Sequence, residues 1–241
     1  RYSYKNKYSV EVDARADGAS KFKPGRQWGY FPAASLGWTV KNEDFLKNVN
    51  WVNDFKIRAG YGSVGNNRIQ DYLYLTTFAS DGRYFYGLNN QLNTAYYPTS
   101  LVNEKLQWES TVNRNLGLDV SLFNNRLGFS LDVYNNTSYN LLLSVPIAPT
   151  YGYTTQLQNI GKTSNKGIEL QLNGGIVRSK NFTWNANFNI SHNTNKIVQL
   201  GIGQTSFFPA ASWDVSGQPT DYIEKIGNAV GSMYGLVSDG F

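Results

Sequence analysis

Hydrophobic and polar residues alternate with a period of two over most of the chain, the spacing of strands that keep one apolar and one polar face. In the first segment Tyr2, Tyr4, Tyr8, Val10, Val12 and Ala14 share a face against Lys5, Lys7, Glu11, Asp13 and Arg15. Trp28, Tyr30, Ala34, Leu36, Trp38 and Val40 then oppose Gly29, Ser35, Gly37, Thr39 and Lys41, and Phe55, Ile57, Ala59 and Tyr61 oppose Lys56, Arg58 and Gly60. A longer run over 105–122 sets Leu106, Trp108, Val112, Leu116, Leu118, Val120 and Leu122 against Gln107, Glu109, Asn113, Asn115 and Asp119. Segments 127–133, 168–176 and 182–190 repeat the pattern. It predicts an all-β chain of about seven to nine antiparallel strands.

Strand length and aromatic placement separate two architectures. Strands of soluble sandwiches run about 3–10 residues, whereas 105–122 alternates throughout. Trp28 and Trp38 share a face, and at the rise and tilt of a barrel strand they stand about 26 Å apart along a membrane normal. That matches an apolar band with an aromatic girdle at each rim. Trp28, Trp38, Trp108 and Trp184 are therefore assigned to membrane girdles. Arg114, on the apolar face of its segment, is placed at the outer rim, where a guanidinium snorkels to lipid phosphates.

Connections alternate in length. Residues 123–126 and 178–181 read as tight turns, and 42–53 as a medium connection in which Asn42, ahead of Glu43 and Asp44, is expected to cap one helical turn. Long connections fall at 15–27, 63–104, 145–155 and about 200–227. The strands then run up and down without a parity error, with every long connection on one side. The expectation is part of a large antiparallel transmembrane β-barrel, multi-pass in an outer membrane, its long loops outside. The whole of 1–241 is read as one partial barrel domain of a longer protein. With two strand edges unpaired, the chain alone is expected to aggregate.

Composition agrees. Charged residues make up 16% against about 25% in soluble domains, while aromatic residues reach 15%. Without cysteine there is no disulfide or thiolate chemistry, and His192, the single histidine, is read as a polar strand-end residue rather than a metal ligand. The net charge of +5 is scattered rather than clustered, which argues against nucleic acid. The sequence Gly60-Tyr-Gly62-Ser-Val-Gly65 has the spacing of a dinucleotide loop, but Asn66-Asn67-Arg68 opens a loop rather than the required helix, so it is read as a strand leaving the membrane into a glycine-rich bend. Glu109, Asp119, Asp132 and Glu169 lie on polar faces and are read as lumen wall rather than as a catalytic pair. No catalytic residue, metal site or cofactor is assigned.

Specific motifs point further. Arg15-Ala-Asp17-Gly18-Ala-Ser20-Lys-Phe22, Trp28-Gly29-Tyr-Phe31-Pro32-Ala-Ala-Ser35-Leu-Gly37-Trp38 and Glu43-Asp-Phe45 resemble the barrel of SusC/RagA-like TonB-dependent transporters. Phe55–Asn66, Leu106–Thr111, Asn115–Asp119, Asn125–Leu127, Asn159–Glu169 and Gly231–Gly235 continue the resemblance in order. It implies a portion of a barrel of about 22 strands, lacking here the plug, the TonB-contacting segment and terminal strands. It also implies active import of an oligosaccharide or oligopeptide, with TonB and a SusD-like surface lipoprotein as partners. Loop aromatics are the substrate-contact candidates, because their faces stack on sugars or grip apolar side chains: Tyr84, Phe85, Tyr86, Tyr96, Tyr97, Tyr151, Tyr153, Phe207, Phe208 and Trp213. Phe241 is read as an accidental end rather than a terminal barrel signal. A passive porin or adhesin barrel and a soluble β-rich glycan-binding module remain the alternatives.

Overall fold

A computed structural model describes residues 1–88, 91–201, 203–208, 221–235, 237 and 240, with backbone alone for 81–88, 91, 92 and 146. Eight strands form one antiparallel sheet: β1 (Tyr2–Tyr4), β2 (Tyr8–Gly18), β3 (Trp28–Thr39) and β4 (Val52–Asn66), then β7 (Glu109–Leu122), β8 (Leu127–Pro146), β9 (Thr155–Arg178) and β10 (Thr183–Gln199). Each pairs with its neighbour in that order. Between β4 and β7 the chain forms a separate hairpin, β5 (Phe78–Leu88) with β6 (Gln91–Pro98). Beyond β10, β11 (Ser206–Phe207), β12 (Tyr222–Lys225) and β13 (Ser232–Met233) make a small third sheet. No helix among the described residues is long and apolar enough to cross a membrane.

Register turns the alternation into two chemically distinct surfaces. On one, Tyr8, Trp38, Ile57, Leu118, Leu131, Leu170 and Ile190 form a continuous row across seven strands. The adjacent row on that face is Phe55, Val120, Phe129, Leu172 and Phe188. On the other face, Arg58, Gly117, Asp132, Glu169 and Ser191 are successive partners. The apolar face is left uncovered: Leu116, Phe188 and Ile190 are each more than half exposed, and the two small sheets belong to the long connections. Exposed apolar area on this scale needs an apolar surrounding. Among the described residues the seven buried apolar side chains lie instead near strand ends and in connections: Phe22, Phe31, Val40, Val52, Leu106, Ile197 and Leu200.

Several expectations need correction. The first segment is not continuous: Lys5 and Asn6, at φ 51° and 52°, reverse the chain so that Tyr4 pairs with Tyr8 and Tyr2 with Val10. Paired residues share a face, so the alternation runs through the reversal unchanged. The segment after Tyr61 stays in β4 to Asn66. A Cβ on Gly65 would lie 2.0 Å from the Phe31 ring, so this glycine makes room for a neighbour rather than a bend. Asn42 caps nothing: it ends a 3-10 turn and donates to the Asn6 carbonyl at 2.8 Å, while Glu43 takes the N-cap position of α1 (Asp44–Lys47). His192 is not at a strand end but mid-β10, opposite Ile168 on the apolar face.

Candidate functional site

The polar face is a wall of hydrogen-bonding groups. Arg58 reaches across β7, its Nε 2.6 Å from Asp119 Oδ2 and its Nη2 3.1 Å from Asp119 Oδ1 and 3.0 Å from Asp132. Ser130 donates to Asp119 at 2.7 Å. Gly117 permits this crossing, since a Cβ there would meet the guanidinium carbon at 2.6 Å. The three charged side chains are each about one-third exposed, so water screens the pairs and the network contributes on the order of 1 kcal/mol per contact. Asp119 and Asp132 thus share one guanidinium instead of facing each other across open space. Glu169, next in the row, makes no ion pair among the described residues and lines a depression of about 350 Å³ with Asp132, Gln171, Asn189 and Ser191. Among the described residues no three His, Asp or Glu side chains are grouped to hold a metal.

At the long-loop end an aromatic knot joins two connections. Trp108 packs on Phe22 with ring centres 5.5 Å apart and on Phe31 at 5.6 Å, and its indole N–H donates to the Gln27 carbonyl at 3.0 Å. Lys23 pairs with Glu104, and Lys21 donates to the Ile69 carbonyl at 2.9 Å, tying the same connections. Trp108 is therefore not a girdle residue. It precedes the first residue of β7 and turns onto Phe31, whose side chain lies opposite the exposed Trp28 and Tyr30. A large aromatic at a polar-face position, Phe31, was the sequence signal for this knot.

Asn159 forms a second node that sequence reasoning missed. Its side chain accepts from the Gln107 N–H at 2.9 Å and donates to the Gln107 and Asn140 carbonyls at 2.9 and 2.8 Å. Asn140, at φ 57°, is the bulge residue where the β8–β9 register shifts. Gln156 and Asn103 add contacts to Val102 and Leu157, lacing the connection before β7 to the outer part of β9.

Of the loop aromatics, Tyr96 and Tyr97 are exposed on β6, and Tyr151 is exposed in a 3-10 turn. Tyr153 donates to the Pro98 carbonyl at 3.1 Å, which brings these two groups together. Phe208 sits edge-on to Tyr234 at 5.0 Å, and Phe207 lines an apolar cavity with Leu141, Leu143 and Ile197. The side chains of Tyr84, Phe85 and Tyr86, and all of Trp213 and Phe241, lie outside the described residues. Trp28 and Trp184 stand exposed on the apolar face.

At the short-turn end Glu43 collects three donors: Lys7 Nζ at 2.8 Å, Tyr8 OH at 2.7 Å and Trp38 Nε1 at 3.0 Å. The Lys7 contact first, then Tyr8 and Trp38, hold its carboxyl down at about 2, and the same pair raises Lys7. A depressed carboxyl stabilises the fold above its ordinary value near 4.5 and stops doing so as pH falls towards about 2. Glu43→Gln in the full-length protein should lower the melting temperature at pH 7, and the deficit should shrink between pH 4.5 and about 2. A deficit constant across that window would refute the assignment.

Comparison with known proteins gives a consistent result. The sequence profile of a family described as TonB dependent receptor-like, beta-barrel, matches residues 1–235. TonB-dependent receptor P39 of Formosa agariphila is 37% identical over 235 residues, 97% of this chain and 21% of that protein. TonB-dependent receptor SusC of Bacteroides thetaiotaomicron is 35% identical over 241 residues, again 97% of this chain and 24% of that protein. Among solved structures, the RagAB peptide importer in its open-open state superposes with a TM-score of 0.83 at 25% identity, covering 94% of this chain and 23% of that one. Its closed-closed state gives 0.79 at 26% identity, covering 94% and 24%. The chain thus spans about a quarter or less of the length of these relatives.

Proposed function

Because this chain belongs to the TonB-dependent receptor-like β-barrel family, a family of outer-membrane receptors rather than enzymes, we propose that the protein carrying it imports a large nutrient by TonB-dependent active transport. The eight-stranded sheet is part of a single barrel domain that further strands of a longer protein close into a multi-pass outer-membrane wall. The observation that carries this reading is the register itself: seven strands align their apolar residues on one uncovered face and their carboxylates on the other. Only a closed barrel lets such a sheet satisfy its backbone in lipid. Energy from TonB acts on a plug inside the lumen, and the wall around Arg58, Glu169 and Gln171 is the polar surface that plug and cargo meet.

The cargo is an oligosaccharide or an oligopeptide, and a SusD-like surface lipoprotein closes the long-loop end. Tyr96, Tyr97, Tyr151 and Tyr153 are the favoured contacts, since Tyr153 joins β6 to the turn before β9 and exposed aromatic faces suit either cargo. Trp28, Trp38 and Trp184 mark the lipid boundaries. Uptake of labelled oligosaccharide and oligopeptide mixtures by cells carrying the full-length protein should be lost when TonB is deleted. Equal uptake with and without TonB would replace this reading with a passive pore.

A further inference from the structure

The apolar face ends in a cluster of cations. One row above Leu116, Val133 and Ile168, Tyr61 pairs with Arg114, and Asn135 and Thr194 flank Lys166. Arg114 and Lys166 line one groove of about 530 Å³ together with Asn135, His192 and the apolar Leu116, Val133 and Ile168. The Arg114 guanidinium sits 5.7 Å from the centre of the Tyr61 ring, which orients it without neutralising it. Neither Arg114 nor Lys166 makes a salt bridge among the described residues. Charge is segregated between the faces. Asp119, Asp132 and Glu169 all occupy polar-face positions, and the apolar-face positions of β4, β7, β8, β9 and β10 hold no carboxylate. Lys196, opposite Ser164 on the same face, adds a further positive charge beyond Thr194.

Cations left without carboxylates at the edge of a hydrocarbon-facing surface need a counter-anion that is itself fixed at that depth. Lipid phosphate meets that requirement, and Lys and Arg stems lie along apolar surface while their heads reach it. The carboxamide of Asn135 is set between the two cations, with Oδ1 buried and without a partner. Turned either way it offers an oxygen to a headgroup hydroxyl or an NH2 to a phosphate oxygen. The long connections lie at this end of the strands, which places the groove in the outer leaflet.

We propose that Arg114, Lys166 and Asn135 form a binding site for the phosphate headgroup of an anionic lipid, whose acyl chain lies along Leu116, Val133 and Ile168. This rests on the barrel reading, because the groove opens on the face assigned to lipid. Binding of free phosphate is tested as the alternative.

The full-length protein in neutral detergent is titrated with phosphatidic acid or phosphatidylcholine, and retained lipid is counted by native mass spectrometry. Wild type should retain phosphatidic acid in preference to phosphatidylcholine, and Arg114→Gln with Lys166→Gln should reduce that preference by about tenfold or more. Inorganic phosphate at millimolar concentration should not displace the lipid. Displacement by phosphate alone would overturn the proposal in favour of a free-anion site. Equal retention by wild type and double variant would overturn it outright. Heat-dependent gel mobility of the same samples reports the folded barrel separately: its presence beside equal lipid retention discards this site only, and its absence in wild type discards the barrel reading as well.

Discussion

Leu118→Arg should destabilise the full-length protein in lipid vesicles by about 2–4 kcal/mol, the cost of a cation near the bilayer midplane on the lipid face of a barrel. Leu118 lies between Ile57 and Leu131 in the row that runs from Tyr8 to Ile190. It is two strand positions from Val120 on one side and Leu116 on the other, inside the band that Arg114 terminates. Gln171→Arg supplies the matched control. Gln171 pairs with Ser130 and Asn189 on the polar face, where an added cation meets water and should change stability by no more than about 0.5 kcal/mol. Denaturant unfolding from vesicles measures both. Equal costs for the two substitutions would mean that the faces do not differ in surroundings.

Phe31→Ala should loosen the long-loop end without opening the wall. Phe31 is 7% exposed, Phe22 is fully buried, and Trp108 packs on both. Truncating a buried phenylalanine costs about 3–5 kcal/mol. Here the loss falls on two connections, so it appears as local opening. Tryptic cleavage after Lys21, Arg26 and Lys105 should accelerate on the order of a hundredfold. Tyr30→Ala, which removes the neighbouring side chain from the opposite, exposed face, should leave cleavage at these sites unchanged. Cleavage unaltered in Phe31→Ala would show that Lys23, Glu104 and the Lys21 contacts hold these connections by themselves.

The strands of the wall were legible because each carries its apolar residues at period two and because short and long connections keep their parity. The reversal at Lys5 and Asn6 was hidden by the same rule, since Tyr4 and Tyr8 share a face whether the chain continues or turns back. Trp108 was misplaced because alternation was extended past the end of pairing: its parity matches Val112 and Leu116, but β7 begins at Glu109 and the indole follows Phe31 instead. Gly65 read as a bend and proved to be space for a ring. The hairpin of β5 and β6 stands inside a connection that carried no clear alternation, and the Asn159 node depends on a bulge at Asn140 that brings distant backbone within reach. The cation groove is invisible along the chain, because Arg114 and Lys166 meet only through the register of three adjacent strands.

The central claim is that the apolar rows face hydrocarbon and the polar rows face an enclosed lumen. The sequence has no cysteine, so single cysteines at Leu118, Phe188, Gln171 and Asn189 can each carry a fluorescent label in the full-length protein reconstituted into vesicles with brominated acyl chains. Labels at Leu118 and Phe188 should be strongly quenched, and labels at Gln171 and Asn189 should keep their emission. Quenching that is equal at all four positions, or confined to Gln171 and Asn189, would contradict the account.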